Sequence, residues 1–179
     1  MARPKFDTKV TRLFGIQYPI VQGAMAWASE AELVAAVANE GGLGVLGASI
    51  MTVDEFEQQV VRTKQLTDRP FGVNFPLVLG DYSKHLEMVL GHGVRIVVVS
   101  AGSPKLMTGR IHEAGALCAH VVPNLKLAES VARAGVDAIV LESYEAGGHV
   151  SPEGITAITN IPNVSRKLDL PLIAAGGVT

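Results

Sequence analysis

The sequence predicts an α/β fold of the (β/α)8 TIM barrel class, with this chain supplying about the first seven strands. Three observations predict it. Short apolar runs recur at 19–25, 44–49, 71–75, 95–101, 117–122, 138–142 and 171–175. Most do not alternate apolar with polar residues, as parallel strands covered on both faces do not. Their starts are 25, 27, 24, 22, 21 and 33 residues apart, which leaves room for a helix between each pair. Finally, the first run leads into Gly23-Ala24-Met25-Ala26-Trp27. This is not the Gly-rich fingerprint that an open dinucleotide-binding sheet places after its first strand. The spacing instead matches a barrel that fits eight units into ~250 residues.

The segments between the runs read as helices. Ser29, with Glu32 three residues on, has the pattern of a capping box ahead of Leu33, Val34, Val37 and Ala38, and Gly41-Gly42 stops that helix. Thr52 and Glu55 repeat the signature before Phe56, Val60 and Val61. Ser103-Pro104 opens another helix with proline in its first turn, and Asn124 caps the one carrying Leu127, Ala128 and Val131. The last run is followed only by Gly176-Gly177-Val178-Thr179. The expectation is therefore a single barrel domain over residues 1–179, truncated at its C-terminus. The alternative is a complete open seven-strand sheet, which would have to manage an exposed strand edge.

Composition narrows the function classes. Hydrophobic residues make up 48% and charged residues 18%, too apolar a mixture for a disordered chain. Lys and Arg total 15 against 17 Asp and Glu, a net charge of −2, so no nucleic-acid partner is expected. Cys118 is the single cysteine, which leaves no disulfide framework or cysteine-rich metal cage. No apolar run approaches the ~20 residues of a membrane span, and the N-terminal residues do not form a secretory leader. A soluble cytoplasmic protein without a membrane partner is the default expectation.

Barrels place their chemistry at the C-terminal ends of the strands. That rule selects 23–27, Asn74, 100–102, 142–149 and Gly176-Gly177. In Glu145-Ala146-Gly147-Gly148-His149 two glycines permit close backbone approach to an anion, and the adjacent histidine is a candidate acid or base. His85, His92 and His112 read as residues of helices or helix ends, and no histidine pair has metal-ligand spacing. Gly176-Gly177 stands where barrels often bind phosphate. Asn74, with a side chain that both donates and accepts, suits either a polar ring edge or a structural tie. Met25 suits the underside of a flat ring or the core, and Trp27 a pocket lining or a helix cover. Gly41-Gly42-Leu43-Gly44 precedes the second strand and reads as a turn, while Cys118 reads as a small buried residue.

Taken in order, these segments resemble one family. The landmarks are 18–27 (Tyr-Pro-Ile-Val-Gln-Gly-Ala-Met-Ala-Trp), 41–44, 67–74, Ser100-Ala101-Gly102-Ser103-Pro104, Glu145-Ala146-Gly147-Gly148-His149 and Ala174-Ala175-Gly176-Gly177. They are similar to the FMN-dependent nitronate monooxygenases and the related flavin-dependent enoyl-acyl carrier protein reductases of type II. The resemblance implies a TIM barrel carrying non-covalent FMN. By position, Gly23, Ala24 and Met25 would lie against the flavin ring, and Asn74 would contact its polar edge. Gly147, Gly148, Gly176 and Gly177 would hold the phosphate, Glu142 would belong to the same cofactor site, and His149 would be the catalytic histidine. One departure is Ser143, where many relatives have glycine.

Two enzymatic readings follow from the resemblance. The first is reduction of a 2-enoyl thioester with NAD(P)H as co-substrate. The motif wording, GlyAlaMetAlaTrp and SerAlaGlySerPro especially, favours it slightly. The second is oxidation of an alkyl nitronate with O2. A non-catalytic barrel remnant and a colourless phosphate-binding barrel are the further alternatives. The expected partner is a small molecule or acyl thioester, and a homodimer is left open.

Overall fold

The computed structural model describes residues 6–148 and 152–178. Seven strands pair in one parallel sheet in strict chain order: β1 (Val21–Gln22), β2 (Leu43–Gly47), β3 (Gly72–Pro76), β4 (Ile96–Ser100), β5 (Leu117–Val122), β6 (Ala138–Glu142) and β7 (Leu172–Ala175). Every neighbouring pair is parallel, from Val21 opposite Leu43 to Glu142 opposite Ala175. The seven expected runs are therefore the seven strands, and β5 and β6 have the expected bounds. The first run is cut to two paired residues, because the chain from Gly23 onward turns into a loop.

Helices fill the crossovers: α2 (Ala31–Asn39), α3 (Val53–Leu66), α4 (Ser83–Gly91), α5 (Thr108–Glu113), α6 (Leu125–Arg133) and α7 (Ala157–Ser165). Alternate strand residues face opposite sides, and this separates two cores. The outer core packs the helices on the sheet, with Leu46, Val73, Phe75, Val97, Val99, Ile139 and Leu141 meeting Val34, Phe56, Leu86 and Ile111. The inner core fills the barrel with Leu43, Val45, Ile96, Val98, Ala119 and Ala138. A short helix before the first strand, α1 (Lys9–Phe14), closes it from the N-terminal end with Val10, Phe14 and nearby Ile16. Sequence patterning did not identify α1. Its signal was the capping box that Thr8 makes with Thr11.

Capping expectations hold at two helices and fail at one. Glu55 N donates to the Thr52 hydroxyl at 3.3 Å, and the Glu55 carboxylate accepts from Thr52 N at 2.8 Å. Hydrogen bonds from the Thr52 backbone and side chain hold the Glu55 carboxyl below its usual range. Asn124 Oδ1 accepts from Leu127 N at 2.9 Å and caps α6. Ser29 does not cap α2: the N-cap is Glu30, without a side-chain bond. The Ser103-Pro104 signal opens a 3₁₀ turn (Pro104–Leu106), and α5 follows it.

Candidate active site at the C-terminal mouth

The loop after β1 is organised by Ser29. Its hydroxyl accepts from Met25 N and from Gln22 Nε2, both at 2.8 Å, and donates to Gly23 O at 3.2 Å. These bonds take Ser29 away from α2 and fold 23–29 into a compact turn. The turn leaves Gly23 exposed, with no heavy atom of the described residues within 4 Å of where a Cβ would stand, and leaves Met25 47% exposed. Ala24 packs against the inner core. Met25 is thus not a core residue. Trp27 is 76% exposed and covers no helix, and its φ of 60° is a strained conformation for a tryptophan. Ala101, at the end of β4, has a φ of 50°. Both strained residues lie at the C-terminal ends of strands, where active sites concentrate such strain.

Asn74 is the middle residue of β3 rather than its end, because the strand runs on through Phe75 and Pro76; it lies on the inward face and is 8% exposed. Its Nδ2 donates to Val98 O and to Ser100 Oγ, each at 3.3 Å. A buried amide needs such partners, because leaving it unpaired costs ~1–3 kcal/mol. Glu142, one strand position past Leu141, ends β6 half-buried on the same inward face.

The β6 and β7 loops are locked together. Ser143 N donates to Ala175 O at 2.8 Å, and Ala146 N donates to Ser143 O at 2.9 Å. The Glu145 carboxylate accepts from Ala157 N at 3.0 Å and so caps α7 across twelve residues, a role that no local pattern announces. Gly176 has a φ of +86°, and a Cβ there would stand 2.4 Å from Ala146 N. Contact with the neighbouring loop therefore accounts for its being glycine, whatever else binds there. A Cβ on Gly177 would meet Ala157 Cβ at 2.9 Å and the Glu145 carboxylate at 3.2 Å. Gly147 and Gly148 differ: both are exposed, and among the described residues nothing lies within 4 Å of where a Cβ would stand, although the φ of +85° at Gly148 favours glycine on backbone grounds alone. His149 lies outside the described residues. Ser143, the departure from the glycine of many relatives, is 1% exposed, and its hydroxyl has no partner among the described residues.

Gly23, Met25, Glu142, Gly147, Gly148, Gly176 and Gly177 thus lie at or past the C-terminal ends of β1, β6 and β7, and Asn74 lies on the inward face of β3. Cys118, by contrast, is fully buried in the outer core. Burial pushes its thiol up to about 11, so it stays protonated and unreactive near neutral pH. His85 and His112 belong to α4 and α5, and His92 caps the end of α4, as the sequence predicts. Gly41 turns with a φ of +93° beneath the barrel, on the side opposite the mouth. Among the described residues no helix is long and apolar enough to cross a membrane.

The chain is 37% identical over 176 residues to a Mycobacterium tuberculosis protein, (3aS,4S,5R,7aS)-5-hydroxy-7a-methyl-1-oxo-octahydro-1H-indene-4-carboxyl-CoA dehydrogenase, covering 97% of this chain and 49% of that one. A probable nitronate monooxygenase of Staphylococcus saprophyticus is 26% identical over 219 residues, covering 97% and 62%. The structure of FabK from Thermotoga maritima superposes with a TM-score of 0.92 at 37% identity, covering 97% of this chain and 55% of that chain. The chain thus spans about half the length of the curated relatives it matches first. The nitronate monooxygenase family model matches residues 7–82 and 77–179, nearly the whole length on which the barrel and its mouth are built, and the chain belongs to that family.

Proposed function

We propose that this protein is an FMN-dependent oxidoreductase that reduces 2-enoyl thioesters with NAD(P)H. The observation that carries a flat, anionic cofactor is the open space at Gly23, Gly147 and Gly148 in the loops after β1 and β6, together with the buried amide of Asn74 on the inward face of β3. Glycines with nothing where a side chain would stand suit a ligand approached by backbone. The choice of substrate class, a coenzyme thioester, is supported by the 37% identical hydroxy-octahydro-indene-carboxyl-CoA dehydrogenase and by the likeness to FabK.

FMN, when bound, supplies hydride transfer, and the protein supplies binding and orientation. The main chain at Gly23 and Ala24 and the side chain of Met25 would support the ring. Asn74 would fix its polar edge, with Glu142 at the same inward rim. Gly147 and Gly148, joined by Gly176 and Gly177, would offer main-chain N–H groups to the phosphate. His149 would hold the thioester and deliver a proton to its Cα. The exposed Met25 and Trp27 would shield the reacting carbons from water.

Nitronate oxidation with O2 is the second reading, favoured by the family as a whole and by the staphylococcal relative. In that case His149 would serve as base or as the charge partner of the nitronate. Anaerobic visible spectroscopy separates the two. The expected result is a flavin band that bleaches with NADH or NADPH and recovers on addition of a 2-enoyl-CoA. A band that ignores both nucleotides and bleaches with an alkyl nitronate would select the second reading. A colourless protein that FMN does not reconstitute would overturn both.

A further inference from the structure

The loops at the C-terminal ends of the strands divide by chemistry. Those after β1, β2 and β3, residues 23–29, 48–52 and 77–80, contain no charged residue. They expose Met25, Trp27, Ile50, Val78 and Leu79. The loops after β4 and β6, by contrast, carry Lys105, Glu145 and Glu153. The three uncharged loops are stitched side by side. Gly47 N donates to Ser29 O at 3.3 Å, Ala48 N to Asn74 O at 3.2 Å, and the Tyr82 hydroxyl to Ser49 O at 3.3 Å. They also pair main-chain groups within themselves: Ala28 N and Ser29 N both donate to Met25 O, and Met51 N donates to Ala48 O. In the 3₁₀ turn after β3 (Leu77–Leu79), Leu77 packs on the outer core, so the turn is anchored while its next two residues stay exposed.

This arc spans two strand spacings, ~10 Å, long enough for several methylenes. It offers apolar burial with no charge and with much of its main chain already bonded. That suits a hydrocarbon. It suits neither an extended peptide, whose own main-chain groups would need partners, nor an ionic group. An exposed apolar cluster of this kind marks a site of contact. We propose that the arc over β1–β3 seats the hydrocarbon part of the substrate, so that the protein selects thioesters with an extended apolar acyl group over short ones. This rests on the thioester reading above and adds Ile50, Val78 and Leu79 as specificity-determining residues.

Trp27 is the only tryptophan in the sequence, and its emission reports directly on the arc. Binding is read without turnover by titrating the purified protein with butyryl-CoA, hexanoyl-CoA and octanoyl-CoA, saturated thioesters with no double bond to reduce. Each added methylene should tighten binding about two- to fourfold, fourfold corresponding to full burial of the group. Octanoyl-CoA should also move the Trp27 emission to shorter wavelength. The double variant Val78→Ser with Leu79→Ser, changed at two exposed positions, should keep its affinity for butyryl-CoA within about twofold and lose most of the chain-length dependence. Equal affinity of the native protein for butyryl-CoA and octanoyl-CoA, or an unaltered chain-length dependence in the double variant, would overturn the inference and leave the thioester reading standing. Binding of none of the three thioesters would overturn that reading and the inference with it.

Discussion

Each buried polar side chain of the barrel poses a question of which hydrogens are already taken. His120 on β5 is 2% exposed, and its Nδ1 lies 2.9 Å from Val121 O, so Nδ1 carries the proton. Its Nε2 has no partner among the described residues. Burial pulls this imidazole below its ordinary 6.5, against the opposing pull of the Val121 and Gly102 carbonyls. Below 6.5 the unfolded chain takes up a proton that the folded chain resists. The contribution is thus complete above 6.5 and is lost as pH falls through the lower folded value. His120→Gln should flatten the acid side of the stability profile, measured by urea unfolding between about pH 7.5 and 5. An unchanged slope would exclude His120 as its source. Asn74 shows how far a single residue is legible in sequence. The apolar run around it marks it as a candidate near the mouth, but it lies in the middle of β3, and its polarity is set by Val98 and Ser100, 24 and 26 residues away.

Helices and strands of this fold meet at distances that single glycines set. Gly44 lies in β2, and a Cβ there would stand 2.3 Å from Val34 O and 2.7 Å from Val34 Cα. Those are backbone atoms of α2, which cannot swing aside as a side chain would. Gly44→Ala should lower stability by at least the ~1–3 kcal/mol of an overpacked core, read as a lower urea midpoint with an unchanged slope. A neutral result would show that α2 lifts off β2 freely. The sequence reading took the glycines at 41–44 as a turn, which holds for Gly41, but Gly44 is a packing residue inside the strand. Capping was legible where donor and acceptor are three residues apart, as for Thr52 with Glu55. It misled at Ser29, because Met25 N and Gly23 O compete for the same hydroxyl, and a linear pattern does not show that competition.

At the scale of the molecule, strand count and order were legible because each parallel strand needs an apolar run and a crossover of similar length. What closes the N-terminal end was not, since α1 is only six residues long and joins the inner core through Val10 and Phe14. Phe14 is 3% exposed, and Phe14→Ala should cost ~3–5 kcal/mol of stability in urea unfolding. On the proposed flavin reading, flavin affinity should stay unchanged, because α1 fills the end of the barrel opposite the mouth. A matching loss of flavin affinity would mean that the two ends are mechanically coupled.

The lock between the β6 and β7 loops also bears on how this sequence can drift over generations. Glu145 holds the start of α7, Ala146 fills the space over Gly176, and Gly177 leaves room for Glu145 and Ala157. A side chain at Gly176 displaces Ala146, and one at Gly177 displaces both Ala157 and Glu145. Neutral substitution one site at a time is therefore closed to this cluster, and a lineage that changes it must pass through compensated pairs. The exposed Gly147 meets no atom among the described residues where a Cβ would stand and is under no such constraint from them, so any restriction found on it in related sequences reports on what it binds, whereas the φ of +85° at Gly148 favours glycine by itself.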